Sequence, residues 1–369
     1  MKVLIVATGV FMKGGIERYT RYQYAALQQI LGKDKVYLAS LLGKNVEGVF
    51  EDEIEVEYIQ GGITWKDKIA FIFNCIRLLR NKGTRLLIIN HRQLAIIGWL
   101  SRFLYNTKYI TNVYGLEIWS GMNFIEKFAL FNSDGIIGDC NFILQYIQKH
   151  FDYPQERMYL LYDAVDTQRF KPQPTNNELM KKYNIPNNKF LIGTIGRLAR
   201  NKGHEIIIKT LKELPENIIY IIVGGGNYLE ALKKISKKET VQHRVIFTGR
   251  VPEDELVDFY NLMDVVVLLS TFDKNEGEGL PLGLIEAGAC GKPIICGYED
   301  GSQDAISNEY KNGFLINPRS ESELKDAILQ LLNNKELKAS MGTNGRKYVV
   351  EYFDFVKFTS KLNEIIKNI

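Results

Sequence analysis

Cysteine, histidine and proline are all scarce in this 369-residue chain, which holds 4 Cys, 4 His and 9 Pro. Cys75, Cys140, Cys290 and Cys296 form no C-x-x-C pair and have no close His partner. That argues against a zinc site and suits a reducing compartment. No apolar run approaches the ~18 residues a spanning helix needs, and Met1-Lys2 passes straight into Val3-Leu4-Ile5-Val6 without a signal-peptide layout. Charge of one sign is lacking too: Lys+Arg 47 against Asp+Glu 43 leaves +4, too little to mark a nucleic-acid binder. The expectation is a cytoplasmic protein with no nucleic-acid partner. Also missing are G-x-x-x-x-G-K-[ST], a clean G-x-G-x-x-G and any D-x-D, so the nucleotide-hydrolase and dinucleotide fingerprints do not apply.

What is present is globular: 46% hydrophobic and 24% charged residues, a composition that excludes disorder. Short continuous apolar runs alternate with helical patterns. In the first half Val3–Ala7, Val36–Ala39, Leu86–Ile89, Tyr109–Tyr114 and Gly135–Ile137 read as strands. In the second, Phe190–Ile195, Ile218–Val223, Val245–Thr248, Val265–Leu269, Pro293–Cys296 and Phe314–Ile316 do. Continuous rather than alternating runs predict parallel strands covered on both faces. The polar, proline-bearing run Phe170–Asn177 is the best linker and divides the chain into residues 1–170 and 171–354. The fold class is therefore α/β, two Rossmann-like doubly wound domains with a ligand cleft at the strands' carboxyl ends. A final helical stretch, Phe355–Ile369, carries an apolar stripe and needs a docking surface.

Three Gly-rich segments follow second-half strands. Gly196-Arg197 to Lys202-Gly203 sets an Arg fork and a Lys point charge five residues apart, both able to reach one diphosphate; two solvated surface cations are the bland alternative. Gly224-Gly225-Gly226 allows close backbone approach, or simply a tight turn, which is the better reading on its own. The third segment, Glu278-Gly279-Leu280-Pro281-Leu282-Gly283 through Glu286, is the most informative. Pro281 suits a first helical position, so free N–H groups around Leu282 and Gly283 would form an anion site. Glu278 and Glu286 beside an anion would repel it unless each accepts bonds from flanking hydroxyl groups. A sugar on one side of a diphosphate and a ribose on the other supply such groups. Two ordinary surface glutamates would not account for the glycines and proline between them.

The spacing of Glu278 and Glu286 resembles the signature of retaining glycosyltransferases of the GT-B fold, especially glycosyltransferase family 4. Gly14-Gly15 resembles the family's N-terminal glycine loop, Asp163–Pro172 its hinge motif, Arg197 with Lys202 its diphosphate pair, and Phe247–Val251 its nucleobase strand. Three places depart from the pattern: Asp163 stands for Asn, Leu280-Pro281 for an aromatic-Gly pair, and Tyr114-Gly115-Leu116-Glu117 for a His. Tyr114, Glu117 and His91 are then the acceptor-side candidates, each against the alternative of a cleft wall or core hydrogen bond.

The resemblance implies transfer of a hexosyl group, by family frequency glucose from UDP-glucose, to a sugar or lipid-linked sugar acceptor in surface-glycan synthesis. Attack would come from the front face, with no metal or other cofactor. Glu278 would hold donor hydroxyls. Arg197, Lys202, the backbone of Gly14, Gly15 and Gly196, and the helix start at Leu282-Gly283 would face the diphosphate. Gly224, Gly225, Phe247, Arg250, Val251, Gly279, Leu280, Pro281 and Glu286 would line the rest, Glu286 binding ribose. It also implies that Phe355–Ile369 returns to the first domain. In family members acting on lipid-linked sugars such a basic, aromatic stretch as 65–82 makes a peripheral membrane contact; a core-packed helix with solvated cations is the preferred reading here. Rivals of other classes are a nucleotide-sugar epimerase, a sugar phosphorylase and a non-catalytic sugar-nucleotide-binding protein.

Overall fold

Each continuous apolar run becomes a parallel strand. The computed structural model describes residues 1–12, 14–43, 54–273 and 276–369. The chain divides into two units, Met1–Ala164 together with Phe355–Ile369, and Val165–Asp354.

The first unit holds β1 (Val3–Ala7), β2 (Val36–Ser40), β3 (Tyr58–Ile59), β4 (Leu86–Ile89), β5 (Lys108–Val113), β6 (Gly135–Gly138) and β7 (Met158–Leu160). They form one parallel sheet in the order β3-β2-β1-β4-β5-β6-β7. Strands β1, β2 and β4 are buried at every residue, which is why they read as unbroken apolar runs. The helix Gly15–Leu31 shares a core with one set of side chains from these strands, around Val3, Ile5 and Leu38. The helices Trp65–Lys82 and Ala95–Tyr105 share another, around Leu4, Val6 and Leu87. Trp65–Lys82 has both characters weighed for it: Phe71, Cys75 and Leu79 are buried, while Trp65 (68% exposed), Ile69 and Phe73 (75%) face outward.

The last helix, Phe355–Asn368, belongs to the first unit. It buries Phe358, Leu362, Ile365 and Ile366 in the same core as Tyr19 and Leu27, with the Phe358 ring edge-on to Tyr19 at 5.4 Å. Its apolar stripe thus finds the surface it required.

The second unit holds β8 (Phe190–Ile195), β9 (Ile218–Val223), β10 (Val245–Gly249), β11 (Val265–Leu268), β12 (Ile294–Gly297) and β13 (Gly313–Ile316), all parallel, in the order β10-β9-β8-β11-β12-β13.

The crossing between units falls at Ala164/Val165, not at 170/171 as the proline run suggested. That run is sewn to the second unit. Arg346 donates to the carbonyls of Phe170 (2.6 Å), Thr167 (2.9 Å) and Ala289 (2.8 Å). The Asn261 side chain accepts from Gln173 N–H (2.8 Å) and donates to Lys171 C=O (3.0 Å). The partly buried Arg346 and the buried Asn261 satisfy the backbone that the prolines leave outside regular structure.

Candidate functional site

In a doubly wound sheet the ligand crevice lies outside the carboxyl ends of the strands where the order reverses. In the second unit that place is between β8 and β11. The chain leaves β8 through Gly196, turns at Arg200–Lys202, and enters the helix His204–Thr210 by way of Gly203. Gly203 sits at φ +72°, and a Cβ on it would stand 2.2 Å from the Leu269 carbonyl oxygen. Only glycine lets this loop lie so close to the exit of β11. Thr271 N–H bonds Asn201 C=O at 3.0 Å, tying the two exits together.

This contact brings two of the expected residues into one pair. Lys202 Nζ lies 2.6 Å from a Glu278 carboxylate oxygen, with the side chains only 15% and 20% exposed. Glu278 is fixed by its own backbone: its N–H donates to Asp300 Oδ2 at 3.0 Å, and Gly301 N–H donates to its carbonyl at 3.0 Å. Asp300 is fully buried. Burial pushes its carboxyl up to about 6, opposed by hydrogen bonds from Ser302, Ser270 and Glu278.

The helix Leu282–Ala289 starts one residue later than expected. Pro281 has ψ 100° and is the residue before the helix rather than its first turn. The Leu282 and Gly283 N–H groups therefore have no acceptor within the helix. A Cβ on Gly283 would stand 3.1 Å from the Ile195 carbonyl oxygen, so the helix start rests on the end of β8. Glu286, 5% exposed, accepts the Tyr260 hydroxyl at 2.7 Å. Thus Lys202 balances Glu278, a neutral donor meets Glu286, and the two carboxylates need not expel an anion from the helix start.

The glycine run after β9 has a packing role. Gly224 has φ +138°, and a Cβ there would fall 1.9 Å from the Gly196 carbonyl oxygen. Leu198 N–H donates to Gly225 C=O at 3.0 Å, and a Cβ on Gly225 would meet the Arg250 side chain at 2.9 Å. The exits of β8, β9 and β10 are thereby drawn together. Arg197 and Arg250 are exposed on them, Phe247 and Val251 are half-buried, and Gly279 leads to the buried Leu280 and Pro281.

In the first unit the order reverses between β1 and β4. Gly14 caps the helix Gly15–Leu31 without a side-chain bond, and a Cβ on it would lie 2.0 Å from a Glu17 carboxylate oxygen. Burial pushes the Glu17 carboxyl up, while its own backbone N–H and Arg21 pull it down. After β4, His91 Nδ1 accepts Gln93 N–H at 3.3 Å. Burial, with Arg92 and Lys68 nearby, pushes its imidazole down to about 4, so it is neutral at pH 7. After β5, the Tyr114 N–H donates to the Glu117 carboxylate; burial raises Glu117 and, most of all, the Tyr114 hydroxyl. Tyr114 and Glu117 are thus joined, and no hydrogen bond among the described residues links either to His91.

Sequence reasoning missed Asp300, Tyr260 and a fully buried polar network of Thr20, Gln23, Asn90 and Asn112. In that network Asn112 Nδ2 donates to Gln23 Oε1 at 2.9 Å and Asn90 Nδ2 to Thr20 Oγ1 at 2.8 Å. Asn90, directly after β4, was the one available signal.

Residues 175–348 match the family described as glycosyl transferases group 1. Most of the second unit is thus similar to the glycosyl transferases of group 1. Over 285 residues the chain is 28% identical to the GDP-mannose-dependent alpha-(1-6)-phosphatidylinositol monomannoside mannosyltransferase of Mycobacterium tuberculosis, covering 74% of this chain and 73% of that one. It is 24% identical over 310 residues to the D-inositol 3-phosphate glycosyltransferase of Corynebacterium jeikeium, covering 77% and 73%. Among solved structures, Anabaena HepE in complex with UDP aligns over 100% of both chains with a TM-score of 0.83 and 18% identity. That likeness shows the fold: two Rossmann-like units of the GT-B class.

Proposed function

We propose that this protein is a retaining, metal-independent glycosyltransferase of family 4 that moves glucose from UDP-glucose to a sugar or lipid-linked sugar acceptor in surface-glycan synthesis. The observation that carries the reading is the Lys202–Glu278 pair at the β8/β11 reversal, beside the start of the helix Leu282–Ala289. An anion site and a hydroxyl-binding carboxylate side by side are what a sugar diphosphate requires. Arg197, Lys202 and the N–H groups of Leu282 and Gly283 stabilise the diphosphate as charge develops on it. Glu278 holds donor hydroxyls and Glu286 the ribose, exchanging the Tyr260 hydroxyl for that contact. The anomeric carbon–oxygen bond to the diphosphate breaks as the acceptor oxygen attacks from the same face, and the leaving phosphate takes the acceptor's proton. Acceptor recognition falls to the first unit, with Tyr114, Glu117 and His91 as candidates.

The mycobacterial relative's name supports a second donor, GDP-mannose. Among the described residues no helix is long and apolar enough to cross a membrane. The outward Trp65, Ile69 and Phe73, beside Lys66, Lys68 and Arg77, support peripheral contact with a membrane carrying the acceptor. The test is a panel of nucleotide sugars read by thermal shift and released nucleotide, with and without excess chelator. Stabilisation with slow, chelator-resistant nucleotide release supports the reading. Binding without release marks a sensor, sugar interconversion marks an epimerase, and activity restored only by Mg²⁺ or Mn²⁺ refutes metal independence.

A further inference from the structure

Glu278 sits between Gly277 and Gly279. Glycines on both sides leave the backbone direction at this point undetermined by local preference, yet a carboxylate that orients a sugar must leave the loop in one direction. The two backbone groups of Glu278 are both claimed by residues 300 and 301. Its N–H goes to Asp300 Oδ2 and its carbonyl accepts Gly301 N–H, each at 3.0 Å. The other Asp300 oxygen accepts Ser302 N–H at 3.0 Å, and the Ser270 and Ser302 hydroxyls, 2.9 Å apart, complete the surroundings. The Glu278 and Ser302 N–H groups can only donate, so each of the two Asp300 oxygens must present an acceptor to one of them.

We infer that Asp300 is the positioning residue for Glu278: its carboxylate clamps the loop from behind and so aims the Glu278 side chain at Lys202 and the donor sugar. The inference rests on the proposed role of Glu278. It adds a part to the site that lies on the β12 exit, away from every segment the sequence pattern marked.

The clamp responds to acid. With burial holding the Asp300 carboxyl at about 6, a proton arriving on one oxygen removes an acceptor from either Glu278 N–H or Ser302 N–H. The charged and titratable groups around it are the Glu278–Lys202 pair, the buried Cys296 thiol below, Asp304 from the following turn, and Glu299, which is engaged by Arg319 at 2.8 Å. Turnover therefore falls on the acid side with a midpoint near pH 6, while UDP, which does not touch Glu278, loses no affinity through this clamp.

Asp300→Asn tests this, since it keeps the shape but turns an amide N–H₂ toward a backbone N–H. Nucleotide release is followed from UDP-glucose or GDP-mannose, whichever the protein turns over. The expected result is a kcat at least ten-fold lower at pH 7.5, loss of the acid limb, faster hydrogen exchange at the Glu278 amide, and UDP affinity no weaker than wild type. Wild-type kcat and pH profile in Asp300→Asn overturn the inference. So does a flat wild-type kcat between pH 5 and 7, which needs no variant. If Glu278→Ala itself turns over normally, the assigned role of Glu278 fails instead, whatever Asp300→Asn does.

Discussion

Lys202 and Glu278, 76 residues apart in the chain, meet as an ion pair of 2.6 Å where β8 and β11 run out side by side. The pair exists because Gly203 lets the two strand exits touch and because Asp300 holds the Glu278 loop in place. Each of these features can be removed separately.

Glu278→Ala is expected to reduce turnover sharply, by a hundred-fold or so if the carboxylate contributes about 3 kcal/mol in the transition state. UDP affinity should be unchanged or somewhat higher, since Lys202 loses its competing partner. Steady-state kinetics and UDP titration calorimetry check this. Normal turnover would remove Glu278 from the site.

Arg197→Ala and Lys202→Ala are each expected to weaken UDP and donor together. A charge-assisted bond of about 1.5–3 kcal/mol corresponds to roughly ten- to more than a hundred-fold in Kd. Lys202→Ala should be the more severe, because it also leaves Glu278 uncompensated beside the diphosphate. Wild-type UDP affinity in either variant contradicts the assignment.

Deleting residues 355–369 removes Phe358, Leu362, Ile365 and Ile366 from the first unit's core. At about 1.5–3 kcal/mol for each buried side chain, the loss of roughly 6–12 kcal/mol rivals the whole stability of a domain, about 5–15 kcal/mol. The first unit should lose its cooperative unfolding and become protease-sensitive while the second remains folded. A truncated chain with an intact first unit and full activity would show that this helix is dispensable.

His204 is buried at 1% exposure, with Nδ1 2.7 Å from the Tyr220 hydroxyl. Burial, aided by Lys202, pushes it down to about 4. Between pH 6.5 and 4 the unfolded chain binds a proton at this residue that the folded chain refuses, so stability is full above pH 6.5 and drains away toward pH 4. The complete effect is about 3 kcal/mol. His204→Gln should flatten the acid side of the second unit's thermal stability profile. An unchanged slope would show that another group carries it.

Strands were legible where both faces are covered. Val3–Ala7 and Ile218–Val223 are unbroken apolar runs, and their ends fall where the pattern ends. Tyr58–Ile59 and Met158–Leu160 were not, because short, partly exposed edge strands leave two or three ordinary residues as their trace. The prolines near 172 marked irregular backbone correctly but not a domain boundary: nothing local says that Arg346 and Asn261 will hold that backbone. Pro281 signalled a helix start to within one residue, since its fixed φ suits both the first turn and the position before it. The neighbourhood of Lys202 and Glu278 was readable from glycines and charges flanking strands. Asp300 was not, because a loop Asp before Gly is common and its meaning here comes only from burial against the Glu278 backbone.

The most direct test of the central claim is a structure of the protein crystallised with UDP. The account predicts the diphosphate at the β8/β11 reversal, its oxygens within hydrogen-bond distance of Lys202 Nζ, the Arg197 guanidinium and the N–H groups of Leu282 and Gly283. It predicts the ribose hydroxyls on Glu286. A nucleotide bound elsewhere, with the Lys202–Glu278 pair untouched and the helix start at Leu282 empty, would contradict it.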